Sequence, residues 1–176
     1  DGADFDVVYD TWGSVPAQVF HVAVRADGTS ATAPAQRTFS LVQSTAPDLA
    51  WTGSEYGLFA RSVDAGATGV IAFGRLDGSG APGGGPWTVT PGTLDADAPS
   101  VAWTGSDWGV AYLAPAAGGT QAVHFLRVAS DGTILTADWE LSAGDASGAR
   151  PSVVWRSREF SVAYVESGGL YVAAID

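Results

Sequence analysis

The sequence predicts an all-β fold, and three observations carry that prediction. Glycine (23 residues) and proline (9) are abundant while charged residues make up only 15% of the chain, a balance that suits short strands joined by tight turns. Every segment longer than a turn alternates apolar and polar residues with period two, and Gly, Pro or Asp-Gly interrupts it before a helix could nucleate. The third observation is internal repetition. The segments PDLAWTGSEYGLFA from Pro47, PSVAWTGSDWGVAY from Pro99 and PSVVWRSREFSVAY from Pro151 recur at a spacing of 52 residues. Trp51, Trp103 and Trp155 fall in register, as do the acid-aromatic pairs Glu55-Tyr56, Asp107-Trp108 and Glu159-Phe160. A partial fourth copy opens the chain, where Asp4-Phe5 takes the acid-aromatic place.

Each unit resolves into four strands. Strand A is Pro-x-Val-Ala-Trp, with the proline at the first strand residue, where a missing N–H is tolerated. A Thr-Gly-Ser-acid turn reverses the chain into strand B, in which Trp108, Val110 and Tyr112 share one face and Gly109 and Ala111 the other. Small residues on that second face let neighbouring sheets approach closely. Strand C follows a Gly-rich connection, as Val19 to Arg25, Val70 to Arg75, Val123 to Val128 and Leu170 to Ile175. The hairpin signals Asp27-Gly28, Asp77-Gly78 and Asp131-Gly132 then lead to strand D around Phe39, Trp87 and Trp139.

A four-stranded antiparallel meander repeated at this interval is the pattern of a radially repeated β-propeller. The units, Pro-x-Val-Ala-Trp, then acid-aromatic-Gly-Val-Ala-Tyr, then Arg-x-Asp-Gly, resemble the blades of exported bacterial β-propeller repeat proteins along nearly the whole chain. The resemblance implies architecture more than activity, since propellers host lectins, hydrolases and interaction platforms alike. The expected organisation is a single domain with blades at about 1–46, 47–98, 99–150 and 151–176, the first lacking strand A and the last lacking strand D. Such a chain either closes as a ring of four blades, two of them thinned, or forms part of a larger propeller completed by another copy or a further segment.

Composition bounds the function. A net charge of −11 repels phosphate backbones and anionic headgroups, which argues against nucleic acid and membrane surfaces as partners. Cysteine is absent, which excludes disulfides, thiolate chemistry and Cys-based metal sites. A composition rich in Ala, Gly and Asp with no lysine suggests a bacterial protein from a GC-rich genome, and the Thr/Ser/Gly content fits a secreted or cell-surface location.

Residues with chemistry are weighed against their place in the repeat. Trp51, Trp103 and Trp155 recur in every unit and are expected in the inter-blade core. Asp4, Glu55, Asp107 and Glu159 are expected to cap their own turns, and Arg25, Arg75 and Arg127 to pair with neighbouring acids. His21 and His124 stand at non-equivalent positions and support no catalytic or metal arrangement. The non-repeating residues are the better ligand candidates: Trp12 in its loop, and the crossover acids Asp95, Asp97 and Asp145. Those acids could offer oxygen ligands to calcium, although their spacing matches no dense calcium loop. No catalytic set stands out. The expectation is therefore a non-enzymatic extracellular binding module, with carbohydrate as the foremost ligand. A structural or protein-interaction propeller that is one segment of a larger exported protein ranks second and a glycoside-hydrolase-like enzyme third; the expected partners are carbohydrate or another protein, with a homo-oligomer as one way to complete the ring.

Overall fold

A computed structural model describes residues 4–14, 16–38, 43–63, 68–116, 118–142, 145–146 and 149–176, and among them the chain is all strand and turn, with no helix. Four antiparallel meanders follow one another along the chain. The first holds β1 (Asp4–Asp10), β2 (Val19–Arg25) and β3 (Ala35–Gln36); the second β4 (Gln43–Trp51), β5 (Glu55–Val63), β6 (Val70–Asp77) and β7 (Pro82–Thr88). The third holds β8 (Asp97–Trp103), β9 (Asp107–Pro115), β10 (Gln121–Ala129) and β11 (Trp139–Glu140); the last β12 (Ser152–Trp155), β13 (Phe160–Glu166) and β14 (Gly169–Ile175). These are the expected strands, lacking A in the first sheet and D in the last. Phe39, expected in a strand D, lies outside the described residues.

The sheets stack face to face through the alternation of strand B. Trp108, Val110 and Tyr112 are fully buried against Phe59, Ile71 and Phe73 of the second sheet. Phe160, Val162 and Tyr164 cover Ala111, Val123 and Phe125 of the third. Glycine lies beneath the leading aromatics of the third and last sheets: a Cβ on Gly57 would lie 2.5 Å from Trp108 Cη2, and one on Gly109 2.3 Å from Phe160 Cε1. The repeated tryptophans of strand A are not the buried centre that repetition suggests. Each pairs across the A–B hairpin with the leading residue of strand B, at ring separations of 4.4 Å for Trp51 and Tyr56, 4.5 Å for Trp103 and Trp108, and 4.7 Å for Trp155 and Phe160. That places them at the sheet margin, and Trp51 is 46% exposed.

The A–B turns are closed by threonine rather than by the acids. Thr52 and Thr104 accept the N–H groups of Glu55 and Asp107 at 3.0 and 3.1 Å and donate back to their carbonyls. Two of the acids reach strand C, where Glu55 pairs with Arg75 at 3.5 Å and Asp107 meets Arg127 Nε at 3.0 Å while its Oδ1 accepts the Thr104 hydroxyl; Glu159 pairs instead with Arg156 of its own turn. In the C–D turns Asp27, Asp77 and Asp131 accept the N–H two residues ahead at 2.8–2.9 Å; the Thr29 and Ser79 hydroxyls with those N–H groups, and for Asp131 the Thr133 N–H with its hydroxyl, hold all three carboxyls below their ordinary value. Both histidines are buried on Asp–Tyr pairs. His21 lies 2.7 Å from Asp6, which also accepts the Tyr56 hydroxyl, and His124 lies 2.8 Å from Asp138, which accepts the Tyr112 hydroxyl at 2.6 Å. Burial, reinforced by these carboxylates, pushes the Tyr56 phenol up to about 12 and the Tyr112 phenol higher still.

Inner strands pack in chain order, β1 on β4, β4 on β8 and β8 on β12. Side chains at one repeat position link them: Asp48 accepts the Val101 N–H at 2.8 Å, and Ser100 accepts the Val153 N–H at 3.2 Å. The outward faces of the first and last sheets stay uncovered, with Phe5 65% and Val172 68% exposed. The four sheets thus form a partial propeller.

Candidate active-site cleft

A cleft of about 520 Å³ opens where β1, β4 and β8 meet, lined by Asp10, Trp12, Thr45, Ala46, Arg61, Asp97 and Ala98, with Gln43 at its edge. The local sequence explains its shape. Strands β4 and β8 each break register at a bulge, between Thr45 and Asp48 and between Asp97 and Ser100. Ala46 and Ala98, each just before a proline, take left-handed backbone with φ of 49° and 50°. L-residues rarely adopt that conformation, and holding it costs on the order of 1–3 kcal/mol. The bulges aim two carboxylates at the cleft. Asp10 Oδ2 accepts the Ala46 N–H at 2.8 Å, and Asp97 Oδ1 accepts the Ala98 N–H at 2.6 Å.

Arg61 supplies the positive charge. Its side chain is only 15% exposed, with Nη2 3.0 Å from Asp95 and Nε 4.0 Å from Asp97. Asp95 also accepts the Gly69 N–H at 2.8 Å. Trp12 stands on the rim, 87% exposed, in a loop pinned at its base where the Gln18 N–H donates to Thr11 Oγ1 at 3.0 Å and Ser44 N–H reaches the Ala17 carbonyl at 2.7 Å. Arg150 occupies the repeat position of Ala46 and Ala98. It donates to the Pro47 carbonyl at 3.0 Å and to the Pro99 carbonyl, and lies 3.6 Å from Asp48. Burial raises the Asp48 carboxyl above its ordinary value against the lowering effects of the Val101 N–H and Arg150.

Three of the residues singled out from sequence therefore come together: Trp12 and Asp97 line one cleft, and Asp95 joins it through Arg61. Asp145 does not. It is exposed in the crossover to the last sheet, and its carbonyl accepts the Ser167 N–H at 2.8 Å. Among the described residues no three His, Asp or Glu side chains gather in a metal-binding group. Asp10 and Arg61 escaped the sequence reading because both sit inside strands, where alternation makes them look like ordinary solvent-facing positions. A larger cavity of about 560 Å³ between the first and second sheets is lined by Leu58, Ala60, Ala72 and Leu76 together with Arg37 and Arg75, and holds no carboxylate.

No protein-family model matches the chain, and no curated protein does. Solved structures do share its fold. The α-L-arabinofuranosidase of Lactobacillus brevis superposes with a TM-score of 0.60 at 10% identity, over 97% of this chain and 68% of that one. A GH43 endo-arabinanase from Bacillus licheniformis gives 0.62 at 12% identity, over 99% of this chain and 68% of its own. These likenesses bear out the propeller and correct the functional expectation. The arrangement of sheets read as a non-enzymatic binding module is one that these solved structures use for glycoside hydrolysis.

Proposed function

We propose that this chain is the propeller of a glycoside hydrolase acting on arabinofuranose-containing glycans, with Asp10 and Asp97 as its paired carboxylates. The observation that carries the reading is the convergence of two carboxylates, from β1 and β8, on one cleft that also holds a largely enclosed arginine and an exposed tryptophan. Glycosidases work with such a pair: one carboxylic acid protonates the departing glycosidic oxygen while the other carboxylate activates water or attacks the anomeric carbon. The cleft volume lies within the range of small-molecule sites. The bulges hold both carboxylates from the backbone, so neither depends on a mobile side chain for its place. The arabinan preference comes from the two structural likenesses alone.

The test is release of reducing sugar from linear and branched arabinan, with an aryl α-L-arabinofuranoside alongside. Asp10→Asn and Asp97→Asn should each lower turnover by about 10²–10⁴-fold while leaving the far-UV spectrum and melting temperature near wild type. An anion such as azide should restore part of the lost activity in one of the two variants. Wild-type protein inert on every arabinan would overturn the substrate assignment, and full activity in both variants would overturn the carboxylate pair.

A further inference from the structure

The two cleft carboxylates come from β1 and β8, which belong to different sheets, so no strand ladder sets their separation. Each is bonded to the backbone of a bulge, Asp10 Oδ2 to the Ala46 N–H at 2.8 Å and Asp97 Oδ1 to the Ala98 N–H at 2.6 Å. The next residue in each bulge is a proline, and the carbonyls of Pro47 and Pro99 both accept from one atom, Arg150 Nη2, at 3.0 Å for Pro47. That nitrogen carries two hydrogens, one for each carbonyl. A continuous run of bonds therefore passes from Asp10 through Ala46, Pro47, Arg150, Pro99 and Ala98 to Asp97. Arg150 stands at the repeat position of the two alanines, and of the three it alone keeps φ out of the left-handed region. Its side chain reaches back to the bulges of the two preceding units.

We propose that Arg150 is a positioning residue that fixes the two bulges against each other and so sets the spacing of Asp10 and Asp97, an inference that rests on the reading of those two carboxylates as the reacting pair. Backbone in a rarely populated conformation persists only where its surroundings hold it, and Arg150 is the contact that both bulges share. Joining the sheets does not require it. Asp48 already ties β4 to the Val101 N–H of β8, and Ser100 ties β8 to the Val153 N–H of β12. What the guanidinium adds is a common anchor for Pro47 and Pro99. It pairs with Asp48 at 3.6 Å rather than with either cleft carboxylate, so it acts on them through the backbone.

Two measurements on the full chain test this, one of them independent of activity. Exchange of the Ala46 and Ala98 N–H groups with solvent, read by NMR, should quicken about tenfold or more in Arg150→Gln, whose shorter amide cannot span both carbonyls, while amides of β9 and β10 keep their wild-type rates. Arg150→Lys, whose ammonium can still donate to two carbonyls, should fall between the wild type and Arg150→Gln. On arabinan, Arg150→Gln should lower kcat by about 10²-fold and leave KM near wild type, because the carboxylates are misplaced while the rest of the cleft still binds. Unchanged exchange at Ala46 and Ala98 overturns the proposal. So does exchange that quickens there only in step with β9 and β10, which would make Arg150 a general stabiliser, or an undiminished kcat. A wild type inert on arabinan overturns the substrate assignment instead, and the exchange rates still decide whether Arg150 holds the two bulges.

Discussion

Trp108 shows at single-residue scale what repetition does and does not say. The largest repeated side chain is the strand-A tryptophan, and the sequence reading put the core there. The buried aromatic is its cross-strand partner, because Trp108 opens the face that meets the preceding sheet while Trp51 and its equivalents lie at the margin beside the turn. Trp108→Ala should cost about 3–5 kcal/mol in chemical denaturation, as for other buried large aromatics, and Trp51→Ala clearly less. Equal losses would return the core to strand A. Asp48 adds a pH dependence whose sign follows from burial. Its carboxyl sits above the ordinary 3.8 in the folded protein, so the folded state holds the proton more tightly than the unfolded chain. Stability contributed at this site therefore falls as pH rises from 3.8 through the folded value, and stays lower above it. Asp48→Asn keeps an oxygen for the Val101 N–H without the charge, so it should melt at or above wild type near neutral pH and lose that advantage in acid. A variant less stable at neutral pH would show that attraction to Arg150 outweighs desolvation.

At the scale of the strand and turn, what was legible is what period two encodes. The Gly-aromatic alternation of strand B announced close sheet contact, and Gly57 and Gly109 lie directly under rings. Gly109→Ala should destabilise by about 1–3 kcal/mol, because Phe160 is fully buried and cannot retreat from the added methyl. Adding Phe160→Leu in the same chain should make the Gly109→Ala step cost less, a coupling that a double-mutant cycle would measure. Strictly additive losses would mean that the glycine serves only the backbone. The turns were legible in place but not in detail: the acids looked like caps, whereas Thr52 and Thr104 cap, Glu55 and Asp107 pair with strand-C arginines, and Glu159 pairs with Arg156. The cleft was half legible. Trp12 and Asp97 stood out because they break the repeat, while Asp10 and Arg61 needed the bulges at Ala46 and Ala98, and no alternation pattern encodes a left-handed alanine.

Across the whole molecule, stability should grade along the row of sheets. In a linear array each unit gains from its neighbours, and an end unit has one neighbour where an inner unit has two. The second and third sheets are covered on both faces, with Phe59, Phe73, Trp108 and Phe125 fully buried, whereas β1 and β14 carry the exposed Phe5, Val7, Leu170 and Val172. Amide hydrogen exchange should therefore be slowest in β9 and β10 and fastest in β1 and β14, with β5 and β6 close to the slow limit. Uniform protection from β1 to β14 in dilute protein would mean that the terminal sheets are as firmly held as the inner ones, and the open arrangement of four sheets would then be wrong.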